Sequence, residues 1–244
     1  MDSIKVEVCV DSIGSALTAQ AAGACRVEYC DNLSGEGTTP SIAQIEIARK
    51  LLHIKLYVLI RPRVGDFLYN DVEFEIMKSE IHHCGKIGCD GVVIGMLHTD
   101  GTVDKIRCKV LIDIAHSYSM GVTFHRAFDS CCNLFEGMEA IIELGCERIL
   151  TSGGKNTAPE GASIIRQLIQ QADNRIIIMP GAGITSENAT DLIKQTGATE
   201  LHGTFRSCYP SKMDYKNTNL SHQEKEYGIP LADLDKIRKV HLCT

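Results

Sequence analysis

Two short segments of the chain carry a carboxylate and a thiol in the same order. Val6-Glu7-Val8-Cys9 and Val27-Glu28-Tyr29-Cys30 each have the composition of a buried strand that ends in cysteine. Side chains alternate along a strand, so Glu7 shares a face with Cys9, and Glu28 shares a face with Cys30. If a helix joins the two strands as parallel neighbours, the two thiols could meet near two carboxylates. Such a pair suits a soft ion such as Cu(I) or Zn(II), although cysteine is also a common small residue of protein cores.

A second set of polar residues follows the later apolar runs of the sequence. Arginine binds carboxylate or phosphate through a planar fork, and glycine-rich turns expose backbone N–H groups to anions. The candidate anion-binding residues are Arg63, Asp66, Arg126, Ser152, Gly153, Gly181 and Gly183. Glycines also end strands for purely steric reasons, so the turn at Gly181 and Gly183 alone does not decide the matter.

Histidines beside carboxylates are the candidates for proton transfer. A carboxylate next to an imidazole can act as a general acid/base pair, although a histidine on a strand is more often a structural residue. The speculative catalytic residues are Glu7, Glu28, Arg61, His125 and His202. The sequence contains neither a Gly-x-Ser-x-Gly turn nor a His-Glu-x-x-His helix, so the sequence leaves open whether the protein is an enzyme.

Eight apolar runs must position these residues. They lie at Ile4–Val10, Arg26–Cys30, Leu56–Arg61, Gly91–Met96, Val122–Phe128, Arg148–Ser152, Ile176–Met179 and Glu200–Phe205. Several are almost continuously apolar, which is typical of a parallel sheet covered on both faces. Helical segments follow most of them, and glycines such as Gly88 and Gly145 lie where a helix should end. Eight such units favour a single (β/α)₈ TIM barrel over residues 1–244.

The barrel prediction has consequences for the polar residues and for the end of the chain. In a TIM barrel the chemistry lies at the carboxyl ends of the strands, where most of the candidate residues fall. By alternation, Arg126 should face away from His125. The polar stretch at about 207–230 is predicted to be an irregular insertion after strand 8, either a linker or a loop over the barrel mouth, with a closing helix at about 232–242.

Composition excludes several classes of partner. The chain has a formal net charge of -6 and only 5% aromatic residues, which argues against nucleic acid as a partner. No apolar run is long enough to cross a membrane, and the amino terminus does not resemble a secretory signal. Eleven cysteines therefore indicate a reducing compartment rather than a disulfide framework. We expect the cytoplasm, with the nucleus as an alternative, and we predict no organic cofactor.

Several of these motifs together resemble the copper homeostasis protein CutC family. They are Glu7-Val-Cys-Val-Asp-Ser, Gly37-Thr-Thr-Pro-Ser, Ile60-Arg-Pro-Arg, Gly65-Asp-Phe, Thr123-Phe-His-Arg-Ala-Phe-Asp, Arg148-Ile-Leu-Thr-Ser-Gly and Met179-Pro-Gly, in the family's order from about residue 4 to about 206. The resemblance implies a cytosolic (β/α)₈ barrel that forms a homo-oligomer, a dimer or a tetramer. It also implies a role in copper handling, with Cu(I) bound by thiols at the positions of Cys9 and Cys30.

The chain departs from the family pattern at four places near the expected pocket, one of which is the His202-Gly-Thr-Phe segment at the end of strand 8. Ala182 stands between Gly181 and Gly183 where the family often has a third glycine, and alanine adopts positive φ at a higher cost. Val64 replaces a glycine in the Arg-Pro-Arg segment, and the order Gly35-Glu36 reverses a common Glu-Gly pair.

Two functions compete on this basis. The first is a cytosolic Cu(I)-binding protein that buffers or traffics copper through Cys9 and Cys30. The alternative is a TIM-barrel enzyme that acts on a small anionic metabolite, which could be phosphorylated, with copper binding secondary. A barrel whose thiols are merely packed is the third reading.

Overall fold

Eight parallel strands form the centre of the molecule. The computed structural model describes residues 4–217, 219 and 227–242. The strands are β1 (Lys5–Val10), β2 (Arg26–Tyr29), β3 (Lys55–Leu59), β4 (Gly91–Ile94), β5 (Gly121–Phe124), β6 (Arg148–Thr151), β7 (Ile177–Pro180) and β8 (Glu200–Gly203). Their order is β7-β6-β5-β4-β3-β2-β1-β8, and β7 and β8 lie side by side. The predicted (β/α)₈ barrel is confirmed.

Helices cover the outside of this barrel. They are α1 (Ile13–Ala21), α2 (Ile42–Leu51), α3 (Asp71–Ile87), α4 (Lys105–Ser117), α5 (Leu134–Leu144), α6 (Ala162–Ala172), α7 (Ala189–Thr196) and α8 (Leu234–Leu242). Gly88 and Gly145 end α3 and α5 with φ of 84° and 87°, a conformation that glycine adopts without a Cβ clash. In the described part of the chain, no helix is long and apolar enough to span a membrane.

Six of the eight strands end earlier than the sequence predicted, and the largest difference is at β5. β3 ends at Leu59 and β5 ends at Phe124. After β5 the chain enters a short 3₁₀ helix, Arg126–Ser130, because the His125 side chain accepts a hydrogen bond from the Ala127 amide. Alternation therefore does not extend to Arg126, and the prediction that it faces away from His125 is wrong, because both side chains line the same cavity.

The segment after β8 is partly regular. Strands β9 (Arg206–Pro210) and β10 (Gly228–Ala232) pair as an antiparallel hairpin within the stretch predicted as irregular. The hairpin is attached to α1 because the Ala232 amide donates to the Ser15 hydroxyl at 3.1 Å. The closing helix begins at Leu234, two residues later than predicted. Residues 218 and 220–226 of the predicted insertion lie outside the described residues.

Candidate functional site

The pairing of β1 with β2 decides which side chains meet inside the barrel. The register places Glu7 beside Arg26 and Cys9 beside Glu28. Cys30 follows directly after β2, and its Sγ lies 3.4 Å from the Sγ of Cys9. Both thiols are buried. The two cysteines predicted as metal ligands therefore lie together at the carboxyl end of the strands, while Glu7 lies one layer deeper.

His202 approaches the same group of side chains from β8. Its Nδ1 lies 2.7 Å from Oε1 of Glu7, and its Nε2 lies 3.7 Å from Oε2 of Glu28. One candidate ligand atom each of Cys9, Glu28 and His202 falls within 4.8 Å of the others. With Cys30 next to Cys9, the inner wall of the site offers two sulfur atoms, one nitrogen and one carboxylate.

A buried ion network lies beneath these residues and sets their charges. Arg26 bonds to Glu7 and to Glu200, and Arg148 bonds to Glu200 at 2.8 Å. Burial raises the pKa of Glu7, but the Arg26 charge and the His202 hydrogen bond outweigh burial and hold it well below its usual range. Burial lowers the pKa of His202, yet its bonds to Cys9 and Glu7 and the charges of Glu28 and Glu7 raise it well above the ordinary value. Glu7 is thus a carboxylate and His202 an imidazolium.

The two thiols are protonated when no metal is bound. The hydrogen bond with Cys30, together with burial, raises the pKa of Cys9 well above its ordinary value. For Cys30 the bond to Cys9 lowers the pKa, but burial and the charge of Glu28 outweigh it, so the pKa is raised as well. A metal that binds here must displace protons from the sulfur atoms.

A cavity of about 330 Å³ opens above the thiols at the carboxyl ends of the strands. Its walls combine apolar side chains with charged and thiol groups. The apolar part comprises Leu33, Leu59, Phe67, Leu150 and Ile184, and the polar part comprises Cys9, Cys30, Glu28, Glu36, Arg61, His125, Arg126, His202 and Thr204. Three of the loops that form it follow β2, β7 and β8.

Arg61 and His125 each keep one buried N–H without a partner. Arg61 donates to the carbonyls of Glu36, Gly37 and Gly65, but its Nε has no hydrogen-bond partner among the described residues. His125 accepts at Nδ1, so Nε2 carries its proton, and Nε2 is also without a described partner. Burial, with the nearby Arg61 charge, lowers the pKa of His125 to about 3, so this imidazole is neutral at physiological pH.

The other residues predicted to bind an anion do not share one site in the structure. Arg126 lines the cavity and bonds to Asp129 at 2.8 Å and to Ser152 at 3.1 Å. Asp129 accepts from the amides of Ser152 and Gly154, so a carboxylate of the chain itself occupies that turn. Arg63 bonds to Glu73 and Asp66, and neither Arg63 nor Asp66 is part of the cavity wall.

The glycine-rich turn after β7 lies several residues before the next helix begins. Gly183 lines the cavity, whereas α7 begins only at Ala189, so the turn is not the first turn of that helix. The Gly181 amide donates a hydrogen bond to the Thr151 carbonyl at 3.0 Å. Ala182 has φ of 75°, which lies in the left-handed region where a Cβ is disfavoured.

The ion network at the base of the barrel was not predicted. Arg26, Arg148 and Glu200 stand at or near the first residues of their strands, which place them in one layer of the lumen. The feature of the sequence that could have indicated this network is the presence of charged residues in otherwise apolar strands. Their partners depend on the register between strands, which local sequence does not report.

Comparisons with known proteins decide the family. The CutC family model matches residues 4–207 of the chain. The chain belongs to the CutC family. A CutC family protein of Vibrio vulnificus is 47% identical over 244 residues, covering 99% of this chain and 98% of that protein. The human copper homeostasis protein cutC homolog is 42% identical over 240 residues, covering 97% of this chain and 87% of that protein.

Solved structures agree with the CutC assignment. The CutC crystal structure from Streptococcus agalactiae has a TM-score of 0.78 and 35% identity, and the match covers 82% of this chain and 98% of that one. Phosphoribosylanthranilate isomerase from Thermotoga maritima has a TM-score of 0.57 at 12% identity, a likeness that concerns the barrel fold alone. Of the positions that differ from the common CutC pattern, Ala182 and Glu36 line the cavity, whereas Val64 and Gly35 do not.

Proposed function

We propose that this CutC family chain is a Cu(I)-binding protein of copper homeostasis, with Cys9 and Cys30 as the ligands of its copper cargo. The observation that carries the proposal is the 3.4 Å separation of the two Sγ atoms at the inner wall of an open cavity. Thiolates are the ligands that Cu(I) prefers. Relatives of similar length carry the name copper homeostasis protein. A cytosolic location follows from this role as a prediction.

The charges around the thiols suit a bound monovalent ion. Two thiolates and one Cu(I) carry a net charge of -1, which is costly to bury without a cation nearby. The His202 imidazolium lies next to Cys9 and supplies that positive charge. In the metal-free protein Glu7 and Glu28 hold His202 as an imidazolium, so an ion that used its nitrogen would have to displace that proton, as it must displace those of the thiols.

Proton displacement makes the copper affinity depend on pH. Both thiols are protonated in the metal-free protein, so binding through two thiolates releases up to two protons. The apparent affinity should rise with pH, by up to about 100-fold per unit, while both thiols remain below their pKa. The buffering or trafficking role then depends on how this affinity compares with that of other thiols in the cell.

A competition titration tests the proposal. Cu(I) is titrated against a chromogenic chelator under anaerobic, reducing conditions, with wild type and with a Cys9→Ser, Cys30→Ser double variant. We expect tight binding of one Cu(I) by wild type and a loss of at least about 100-fold in the double variant. The matched control is Cys132→Ser, Cys208→Ser, because both of these thiols are exposed and lie outside the cavity. Unchanged binding in the cavity variant, or an equal loss in the control, contradicts the proposal.

A further inference from the structure

The cavity is much larger than the proposed copper site requires. A volume of about 330 Å³ lies in the range of pockets for small organic ligands. The thiols occupy only its inner wall, while apolar side chains such as Leu59, Phe67 and Ile184 line other parts. A single ion between two sulfur atoms leaves this apolar volume unused.

The polar groups on the cavity wall are short of acceptors. Arg61 is 3% exposed and His125 is 5% exposed, and each has one N–H that meets no described acceptor. Burying such a donor without a partner is unfavourable, so a ligand that supplies an acceptor is favoured. The Tyr69 hydroxyl lies within reach of Arg61 and interacts with it, but Tyr69 is not part of the cavity wall. Arg61 and His125 are the wall residues that each keep an N–H without a partner among the described residues.

Arg61 also brings a charge that the surrounding protein leaves unpaired. Among the described residues, no carboxylate lies within ion-pair distance of its guanidinium, and the four groups to which it donates are all backbone carbonyls. The other cations of the cavity are compensated, since Arg126 pairs with Asp129 and His202 pairs with Glu7. Two carboxylates, Glu28 and Glu36, also line the cavity, but neither pairs with Arg61. A buried cation in this position attracts an anion.

Backbone amides add donors on the opposite loops. Gly183, Ile184 and Thr204 line the cavity after β7 and β8, and their amides donate to no acceptor within the described ranges. In TIM barrels the loops after these two strands commonly form a phosphate-binding site. These amides are hydrogen-bond donors, as are the unpaired Arg61 and the neutral His125. All of them suit an anionic ligand.

We propose that the cavity binds a small organic oxyanion, a carboxylate or a phosphate monoester, whose oxygens accept from Arg61, His125 and the free amides after β7 and β8. The apolar wall holds the body of the molecule, and its inner end faces Cys9 and His202. This site shares a cavity with the proposed copper site but uses different residues. Each site can therefore fail independently of the other.

Direct binding measurements at constant ionic strength test the proposal. The probes are inorganic phosphate, phosphoglycolate and malonate, with chloride as the reference anion, measured by calorimetry and thermal shift. We expect phosphoglycolate or malonate to bind at least about tenfold more tightly than chloride. Preference for phosphoglycolate assigns the ligand to phosphate monoesters, and preference for malonate assigns it to carboxylates. Equal, weak effects of all four anions overturn the proposal.

A conservative substitution of His125 tests whether the probe binds in the cavity. His125→Asn keeps an acceptor for the Ala127 amide and removes only the Nε2 donor, so affinity for the preferred probe should fall about tenfold. The control is His53→Asn, an exposed histidine outside the cavity. Unchanged affinity in His125→Asn contradicts the proposal.

An NMR titration of the wild-type protein tests the same site without requiring that a variant folds. In a ¹⁵N NMR titration, the preferred probe should shift the amides of Gly183, Ile184 and Thr204 together with the Nε2–H of His125. Shifts confined to the barrel exterior, with these four signals unmoved, overturn the proposal.

Discussion

At the scale of single residues, His202 links the thiols to the ion network beneath them. It bonds to Glu7 below and lies next to Cys9 above, with Glu28 at its side. The pair of imidazolium and carboxylate is buried, so each partner depends on the other for its charge. His202 therefore influences both the fold and the electrostatics of the proposed copper site.

The charge on His202 makes its contribution to stability depend on pH. Its pKa in the folded state lies above the unfolded value, so its stabilisation is fully present below about pH 6.5 and declines as pH rises through the folded-state pKa. We expect His202→Gln to lower the free energy of unfolding by about 2 kcal/mol at pH 6 and by less at pH 9. Urea unfolding at the two pH values measures this, with exposed His53→Gln as the control. A deficit that grows with pH contradicts the assignment.

Ala182 offers a second test at the residue scale. Its φ of 75° costs a residue with a Cβ about 1–2 kcal/mol, and glycine avoids that cost. We expect Ala182→Gly to raise the free energy of unfolding by about 1 kcal/mol after allowing for the larger unfolded-state entropy of glycine. The matched control, Ala43→Gly in exposed helix α2, should lower it by about 1 kcal/mol. Both changes are measured by urea unfolding, and a loss of stability in Ala182→Gly would be inconsistent with backbone strain.

At the scale of secondary-structure elements, strand register brings the site together. Cys9 lies beside Glu28, and Glu7 lies beside both Arg26 and His202, because β1 pairs with β2 on one side and β8 on the other. The ion network at the base connects β1, β2, β6 and β8 through Arg26, Arg148 and Glu200. These pairs hold the strands that carry the thiols in their positions.

Removal of Arg26 tests the network. Arg26 is 3% exposed and bonds to Glu7 and Glu200, so Arg26→Met leaves two buried carboxylates with fewer partners. We expect a loss of about 3 kcal/mol in the free energy of unfolding by urea titration. The control is Lys109→Met, whose pair with Asp113 is solvent-exposed and should contribute little. Equal effects of the two substitutions would show that the network adds no stability.

The sequence predicted which segments form strands and helices better than it predicted which side chains contact one another. Continuous apolar runs and helix-ending glycines are local signals, and they indicated all eight strands of the barrel. The proximity of Cys9 and Cys30 followed from the βαβ arrangement. The pairing of Cys9 with Glu28 and the unpaired Arg61 depend on register and loop geometry, which arise from contacts between distant segments. The end of β5 was misplaced because the His125 side chain starts a 3₁₀ turn there.

At the scale of the whole molecule, two neighbouring helices expose an aliphatic stripe. Val72 and Ile76 of α3 are 70% and 43% exposed, and Ile106 and Val110 of α4 are 80% and 40% exposed. Each pair has i, i+4 spacing, so its members lie on one face of their helix. The helices α3 and α4 pack against one another, and exposed apolar side chains on neighbouring helices are candidates for an interface. We propose that the chain forms a homo-oligomer through these side chains.

Light scattering tests the assembly. The wild-type chain should have a mass that is a multiple of 26.8 kDa, and Val72→Glu, Ile106→Glu should shift it towards the monomer. The control, Tyr215→Glu, Ile229→Glu, changes exposed apolar residues outside the stripe and should leave the mass unchanged. A monomeric wild type, or dissociation by the control alone, contradicts the proposed interface.

The most direct test of the central claim is X-ray absorption at the copper edge of the Cu(I)-loaded protein. The account predicts a first shell dominated by two sulfur atoms in wild type, and loss of that shell in the Cys9→Ser, Cys30→Ser variant. It also predicts no change in the Cys132→Ser, Cys208→Ser variant. A shell of nitrogen and oxygen atoms in wild type, or a sulfur shell that persists without Cys9 and Cys30, would contradict the copper site between these two strands.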